Sequence, residues 1–269
     1  MRAWVAGAHA CDVTNAGQLA TTLASVRPDR IFYLAGQSSV SASFLRPVQT
    51  WQSCTMGLVM LLPWLSEHPT VRTVVAGSGE CFGPASREAP ATEGSPLRPQ
   101  SPYAAAKCGA HAAVMAAREG GAHIATAFLF SHESTLRPET FVVGKIRAAA
   151  QRIAAGSRER LQLGDLSVVR DWGWAPEYVD ALARMSELAE PEDFIIATGH
   201  SYTLENMVQL IFAAFGLDWR AHVDADAPPD RPVATAEQHA DPGKAARLLG
   251  WRGSTHGEAL AKCLASVPC

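Results

Sequence analysis

The chain has 269 residues, of which 48% are hydrophobic and 18% charged, and its formal net charge is −3. The length suits one large α/β domain or a domain with a small lobe. This slightly negative net charge does not indicate a nucleic-acid-binding protein, and no apolar segment is long enough to span a bilayer. The six cysteines are scattered without a C-x-x-C pair, which is typical of reduced thiols. We therefore expect a soluble cytoplasmic protein without a metal site.

The first half of the chain alternates between predicted strands and helices. After a strand over residues 1–7, Asp12-Val13-Thr14-Asn15 predicts a cap for a helix over 18–26. The next predicted elements are a strand at 31–35, a helix at 48–65 cut by Pro63, a strand at 73–76, a helix at 103–119 and a strand at 124–130. Such an alternation predicts a Rossmann-like, doubly wound parallel sheet.

The usual phosphate-binding glycine loop is not found after the first predicted strand. A dinucleotide-binding fold carries Gly-x-Gly-x-x-Gly there, at the start of a helix whose N-terminus holds the pyrophosphate. The segment 7–12 lacks this spacing, so the first βαβ unit is predicted to be missing. Each charge-assisted hydrogen bond lost with it is worth about 1.5–3 kcal/mol. This leaves open that binding of a dinucleotide is weakened or lost.

The character of the sequence changes after residue 130. Helices are predicted at 141–155, 175–188, 204–215 and 242–249, with strands at 160–163 and 194–197 and a Pro- and Asp-rich loop at 221–235. We expect residues 1–130 to form an incomplete dinucleotide-binding domain. Residues 131–269 are predicted to form a smaller substrate-binding lobe that is interleaved with the sheet.

Tyr103 and Lys107 are four residues apart and therefore share one face of the predicted helix. A tyrosine hydroxyl with a pKa near 10 is a poor base at neutral pH, and a cation one turn away should lower that pKa. Ser78 follows a predicted strand and offers a hydroxyl for the same substrate oxygen. Together these side chains can take a proton from an alcohol while hydride leaves its carbon. The pattern resembles the short-chain dehydrogenase/reductase superfamily.

Further sequence blocks narrow this resemblance. They are LAGQS at 34–38, SGE at 78–80, SPY at 101–103, FSHES at 130–134, RPETFV at 137–142, LGD at 163–165, RDWG at 170–173, IATG at 196–199, DPGKA at 241–245 and LGW at 249–251. In this order they are similar to GDP-mannose 4,6-dehydratases, which are lyases acting on a nucleotide sugar. The HES and ETFV blocks and the RDWG block are specific to this branch of the superfamily.

The resemblance implies a catalytic set. In that family NADP oxidises the sugar 4-hydroxyl, a proton leaves carbon 5, water leaves carbon 6, and hydride returns to carbon 6. Tyr103 matches the base at the 4-hydroxyl, Lys107 its partner and a ribose contact, and Ser78 a group that bonds the same oxygen. Glu80 matches the acid and base for carbon 5 and the leaving water, a task that suits a carboxylate.

The resemblance also implies binding residues. Cofactor contacts, to NADP or NAD, fall on Asp12, Val13, Leu34, Ala35, Gly36, Gln37, Ser38, Lys107 and His132. Substrate contacts fall on Ser131, Glu139, Lys145, Arg170 and Arg231. Lys145 and Arg170 match groups that hold the diphosphate, for which a guanidinium fork is well suited. We also expect a homo-oligomer, either a dimer or a tetramer. No nucleic-acid or membrane partner is expected.

Several positions depart from the family's pattern. Gly144 stands where an Arg is usual, Ser131 replaces an Asn that contacts the substrate, and Ser39 stands where a His is usual. These departures and the missing glycine loop leave three hypotheses open. The first is a nucleotide-sugar 4,6-dehydratase, the second a degenerate homologue that serves as a binding or assembly subunit, and the third a non-redox lyase or isomerase that uses the same site.

Overall fold

The computed structural model describes residues 7–228 and 235–266 of the chain. Its α-helices are α1 (Ala16–Val26), α2 (Val40–Leu45), α3 (Pro47–Trp51), α4 (Gly57–Glu67), α5 (Pro102–Glu119), α6 (Val142–Ala154), α7 (Ala175–Met185), α8 (Leu204–Ala214), α9 (Gly243–Leu248) and α10 (Gly257–Ser266). Its strands are β1 (Arg30–Tyr33), β2 (Arg72–Ala76), β3 (Ile124–Leu129), β4 (Ser131–Glu133), β5 (Leu161–Gln162), β6 (Val169–Trp174), β7 (Phe194–Ile196), β8 (Ser201–Thr203) and β9 (Val223–Asp224).

The main sheet has the order β1-β2-β3-β7, and its pairs are parallel. β2, β3 and β7 are short and mostly apolar, which is the pattern of strands buried on both faces, whereas β1 at the sheet edge is largely exposed. The parallel α/β class predicted from the sequence is confirmed. The predicted first strand at 1–7 lies almost wholly outside the described residues.

Helices cover both faces of the main sheet. On one face, α1, α4 and α5 bury a cluster that includes Leu23, Leu61, Val75 and Val114. On the other face, α7 and α9 pack on a cluster that includes Val74 of the same strand. Neighbouring residues of β2 thus belong to opposite cores, as the alternation of side chains along a strand requires.

The helix α5 begins where the sequence predicted it. The hydroxyl of Ser101 accepts a hydrogen bond from the Ala104 N–H at 3.1 Å, and Pro102 occupies the first turn. Both are preferred helix-start residues, because Ser satisfies an unpaired N–H and Pro has none to satisfy. The small side chains of Ala104, Ala106 and Ala110 face the interior, so α5 lies close against the sheet.

The helical segment after α2 differs from the prediction. Pro63 was expected to cut it, but α4 continues through Pro63 to Glu67. The irregularity lies earlier, in a π-helical turn over Gln52–Met56 that joins α3 to α4. The wider turn buries Cys54 and Thr55, and the Thr55 hydroxyl donates to the Ala106 carbonyl at 2.7 Å. It therefore connects this segment to α5.

The second half of the chain forms a three-stranded sheet, β4-β6-β8, beside the main one. A separate core of α6, α8 and α10 packs against it, with Ile146, Met207 and Leu260 fully buried. The strand β7 belongs to this half in sequence but pairs with β3 in the main sheet. The division at residue 130 into two domains stays a prediction. Within residues 7–228 and 235–266, no helix is long and apolar enough to cross a bilayer.

A buried carboxylate joins the two sheets. Asp171 of β6 is fully buried and accepts hydrogen bonds from the Thr198 N–H and hydroxyl at 2.9 and 2.8 Å. It also accepts one from the Gly199 N–H at 2.7 Å. Burial raises the pKa of Asp171 to about 6, although these hydrogen bonds act to lower it. Asp171 therefore fixes the turn after β7 onto β6.

This arrangement makes the stability of the fold depend on pH in a defined direction. Because the pKa of Asp171 is raised, the folded protein binds this proton more tightly than the unfolded chain. The contribution of Asp171 to stability is therefore present at low pH and lost as pH rises through about 6. We expect the difference in unfolding free energy between wild type and Asp171→Asn, measured by urea denaturation, to be about 1 kcal/mol larger at pH 5 than at pH 8.

Asp180→Asn is the matched control, because Asp180 is exposed and pairs with Arg184 one turn along α7. This change should alter stability by less than about 1 kcal/mol. A wild-type advantage over Asp171→Asn that shrinks as pH falls would contradict the expectation.

Candidate active site

A cavity of about 920 Å³ opens at the carboxyl ends of β1, β2 and β3. Ligands of open parallel α/β sheets bind at this edge, outside the carboxyl ends of the strands. Most of the residues singled out in the sequence line the cavity: Leu34, Gly36, Gln37, Ser38, Ser78, Glu80, Tyr103, Lys107, Ser131, His132, Glu139, Lys145 and Arg170. Two separate halves of the chain thus contribute to one site.

The phenol of Tyr103 lies next to Ser78. Both side chains are buried, with 8% and 7% exposure. Burial raises the pKa of Tyr103, and the hydroxyl of Ser78 acts in the opposite direction through a hydrogen-bonding interaction. Tyr103 follows the cap of α5 and Ser78 follows β2, so the packing of α5 on the sheet brings them together.

The ammonium of Lys107 is also buried, and it donates a hydrogen bond to the Ala76 carbonyl at 2.8 Å. Its nitrogen lies 5.9 Å from the centre of the Tyr103 ring. Burial lowers the pKa of Lys107. The sequence predicted that Lys107 lowers the pKa of Tyr103, whereas here the pKa of Tyr103 is raised. The reason is that desolvation of the phenol outweighs the other effects.

Glu80 is half-buried in the short 3-10 turn Gly79–Phe82 that follows β2. The hydroxyl of Ser78 accepts a hydrogen bond from the Glu80 N–H at 3.2 Å, which sets the start of the turn. The turn packs tightly, because a Cβ on Gly79 would lie 2.9 Å from the ring of Phe130. The carboxylate therefore stands at the cavity wall on a firmly held backbone.

The predicted cofactor residues fall into two groups. Gln37 lines the cavity, but its side-chain amide donates to the hydroxyl of Thr50 in α3 at 2.9 Å and accepts from the Ser39 N–H at 2.7 Å. The structure places Asp12, Val13 and Ala35 outside the cavity lining.

Each of these three has another contact. Asp12 accepts from the N–H and the hydroxyl of Thr14, and Val13 packs where Gly57 of α4 leaves space. Ala35 packs against the hydrophobic cluster that α1, α4 and α5 form with the sheet. Their role as cofactor contacts stays a prediction that this geometry does not support.

The imidazole of His132 lies in the cavity wall between Phe130 and Tyr178. Its Nδ1 lies 2.9 Å from the Phe130 carbonyl, and burial lowers its pKa, so it is a neutral ring that donates from Nδ1. Its Nε2 is then an acceptor. At this end of the cavity the ammonium of Lys107, which gives one N–H to Ala76, can offer its other donors to a dinucleotide. Gly77 serves the close packing of β2 on β3. A Cβ on Gly77 would lie 2.6 Å from Thr126 Cγ2.

The predicted substrate residues Ser131, Glu139, Lys145 and Arg170 line the same cavity. Lys145 donates to the Gln162 carbonyl at 2.6 Å, and Glu139 forms an exposed ion pair with Arg152 at 3.0 Å. The carbonyl of Ser131 accepts from the Tyr178 hydroxyl at 3.5 Å. Arg170 is buried. Arg231 lies outside the described residues.

The cavity wall contains an ion pair that was not predicted from the sequence, between the buried Glu133 and the partly buried Arg137. Arg137 donates to Glu133 at 2.8 Å and also to the His132 carbonyl, and it stacks on the Phe141 ring. Burial raises the pKa of Glu133, while Arg137 acts to lower it. Both residues lie in the blocks that carried the family resemblance, but nothing in the sequence shows that they face each other.

Comparisons with known proteins show the family of the chain. The sequence profile of the GDP-mannose 4,6 dehydratase family matches residues 6–263. GDP-mannose 4,6 dehydratase 2 of Arabidopsis thaliana is 37% identical over 262 residues, which cover 95% of this chain and 70% of the relative. GDP-mannose 4,6-dehydratase of Sinorhizobium fredii (strain HH103) is 35% identical over 269 residues, which cover 92% of this chain and 76% of the relative.

Solved structures resemble the fold. RMD from Pseudomonas aeruginosa complexed with NADPH has a TM-score of 0.86 at 21% identity, covering 96% of this chain and 86% of that chain. The UDP-glucose 4-epimerase of Thermus thermophilus complexed with NAD has a TM-score of 0.84 at 22% identity, covering 95% and 82%. At this identity the likeness bears on the fold alone, and it agrees with the Rossmann-like class predicted from the sequence.

Gly144 allows the loop of residues 134–141, which borders the cavity, to lie close against α6. A Cβ at this position would overlap the Pro138 carbonyl and lie 2.7 Å from the Arg137 carbonyl. Backbone atoms cannot yield as a flexible side chain does, so Gly144→Ala should push the loop away. We expect a loss of about 1–3 kcal/mol in urea unfolding, together with faster amide hydrogen exchange over residues 134–141.

Gly94→Ala is the matched control, because a Cβ there would meet only Thr92 Oγ1 at 4.0 Å. Its stability should stay within about 0.5 kcal/mol of the wild type. If Gly144→Ala were as stable as this control, the close approach of the loop would not be a real constraint.

Proposed function

Because the chain belongs to the GDP-mannose 4,6-dehydratase family, we propose that it converts GDP-mannose, or a related nucleotide hexose, to the 4-keto-6-deoxy sugar with loss of water. The observation that carries this proposal is the convergence of Ser78, Glu80, Tyr103 and Lys107 on one cavity. A cavity of about 920 Å³ is of the size that holds extended ligands.

Tyr103 and Ser78 act together on the sugar 4-hydroxyl. Their hydroxyls are buried side by side, so a substrate oxygen placed between them exchanges hydrogen bonds with both. Tyr103 is the proposed proton acceptor. Burial raises its pKa and so favours the protonated phenol, which means that the reaction depends on the groups that stabilise the phenolate: the hydroxyl of Ser78 and the nearby cation of Lys107. Ser78 holds the oxygen and offsets part of the effect of burial on the phenol.

Glu80 is the proposed base for the proton on carbon 5 and the proposed acid for the hydroxyl that leaves carbon 6. A ketone at carbon 4 acidifies the hydrogen on carbon 5, and a carboxylate can remove it. The same carboxyl group then donates this proton to the hydroxyl that leaves carbon 6 as water. Glu80 is half-buried at the cavity wall, two residues from Ser78, which suits both transfers.

The cofactor we propose is NADP or NAD. When bound, such a cofactor would supply the acceptor for the hydride from carbon 4 and the donor of the hydride to carbon 6. Lys107 and the neutral imidazole of His132 are the side chains that would hold it at the reacting end. Lys107 has an additional role, because its bond to the Ala76 carbonyl fixes the distance between α5 and β2.

We also propose a homo-oligomer in the cytoplasm. Large apolar side chains are exposed on the outer helices, among them Leu45, Val48, Met60 and Met115. Exposed large apolar side chains on neighbouring helices can mark a surface that contacts another subunit. Size-exclusion chromatography with light scattering would give the number of subunits.

The direct test is incubation with GDP-mannose and NADP or NAD, followed by mass spectrometry of the nucleotide sugar. The expected product has lost one water. Failure to form it with either cofactor, while circular dichroism shows an intact fold, would count against the proposal. It would then favour a role in binding or assembly.

Glu80→Gln tests the assignment of the acid and base. The amide cannot take up the carbon 5 proton, so we expect the rate of product formation to fall about 100-fold or more. Exchange of the carbon 5 hydrogen with deuterated solvent should fall with it.

Glu88→Gln is the control for this change. Glu88 is exposed, lies eight residues further along the same loop region and does not line the cavity. Its rate should stay close to that of the wild type. Deuterium exchange at carbon 5 that continues at the normal rate in Glu80→Gln would assign the base to another residue.

A further inference from the structure

The side-chain amide of Gln238 has no place in the chemistry proposed above, yet it lines the same cavity. Gln238 is 4% exposed. Among the residues that the structure describes, its Nε2 has no hydrogen-bond partner. Leaving a buried N–H without an acceptor costs the folded protein free energy. An amide at such a position therefore requires a reason beyond packing.

The backbone of Gln238 is held by hydrogen bonds at both of its polar groups. Its N–H donates to the Val169 carbonyl at 3.1 Å, and its own carbonyl accepts from the Ser201 hydroxyl at 3.3 Å. Glu237, which forms a parallel bridge with Val169, lies 3.5 Å from the His239 imidazole. Side chains alternate along extended backbone, so Gln238 points to the opposite face from these two, toward the cavity.

Arg170 is the neighbour of Gln238 on that face. Val169 and Glu237 pair in the parallel bridge, and Arg170 and Gln238 are the next residues on the two strands. Arg170 and Gln238 both line the cavity. The Arg170 guanidinium is 7% exposed and donates to the Val169 and Thr235 carbonyls at 2.7 and 2.8 Å. A guanidinium and an amide N–H side by side attract an acceptor oxygen that carries negative charge.

We infer that Gln238 is a substrate-binding residue whose amide donates a hydrogen bond to a diphosphate oxygen of the nucleotide sugar, beside Arg170. This inference rests on the proposed function and adds a specificity element to it. The terminal amide turns easily about its last side-chain bond, so its N–H can meet an oxygen in the cavity. No described residue satisfies the amide, whereas a ligand with an acceptor at this point does, which favours nucleoside diphosphates over nucleosides.

The test uses Gln238→Leu, which keeps the approximate size of the side chain and removes the amide. Since an unpartnered donor is lost, the melting temperature of the free protein should be no lower than that of the wild type. The Kd for GDP, measured by titration calorimetry, should rise about tenfold or more. Guanosine, which has no phosphate, should bind both proteins equally.

Gln209→Leu, on the exposed face of α8, is the control and should change neither quantity. An unchanged Kd for GDP, an equal loss for guanosine, or a wild type that binds GDP no better than guanosine overturns the inference. So does a lower melting temperature with normal GDP binding, which would show a packing role. The proposed function fails in a different way: GDP binds through Gln238, but GDP-mannose is not converted.

Discussion

The buried ammonium of Lys107 is held by its hydrogen bond to the Ala76 carbonyl, and the arrangement of the site depends on this contact. A charged group inside a protein must be hydrogen-bonded, because its hydration shell is lost. The acceptor is the last residue of β2, so α5 cannot slide along the sheet without breaking the bond. Tyr103 lies one turn before Lys107, and Ser78 lies two residues after Ala76. The bond therefore sets these two hydroxyls side by side.

Close packing around the end of β2 supports the same geometry. Gly77 allows β2 to approach Thr126, and Gly79 allows the turn to rest on the Phe130 ring. Any side chain at either position would push the turn away from β3 and move Glu80 with it. The rigidity of this region follows from backbone contacts and small residues more than from long polar side chains.

Much of this arrangement was readable in the sequence, for definite reasons. The buried strands are uninterrupted apolar runs, Ser101-Pro102 is a strong helix start, and the residues after parallel strands meet at one edge. The strand β6 was missed, because Arg170 and Asp171 give it no apolar run. The pKa of Tyr103 was predicted in the wrong direction, since the depth of burial depends on tertiary packing. The position of Gln238 was also hidden, as its partner Val169 is distant in sequence.

Two adjacent residues of β6 carry opposite charges and face opposite sides of the strand. Arg170 faces the cavity, while Asp171 faces the turn at Thr198 and Gly199. A slip of β6 by one residue against β8 would exchange the two, since side chains alternate along a strand. A carboxylate would then repel an anionic ligand, and a guanidinium would confront the N–H donors that now meet Asp171. A shifted register would therefore be unfavourable on both faces of the strand. In β6 the charged residues thus determine the register, as a hydrophobic face does in other strands.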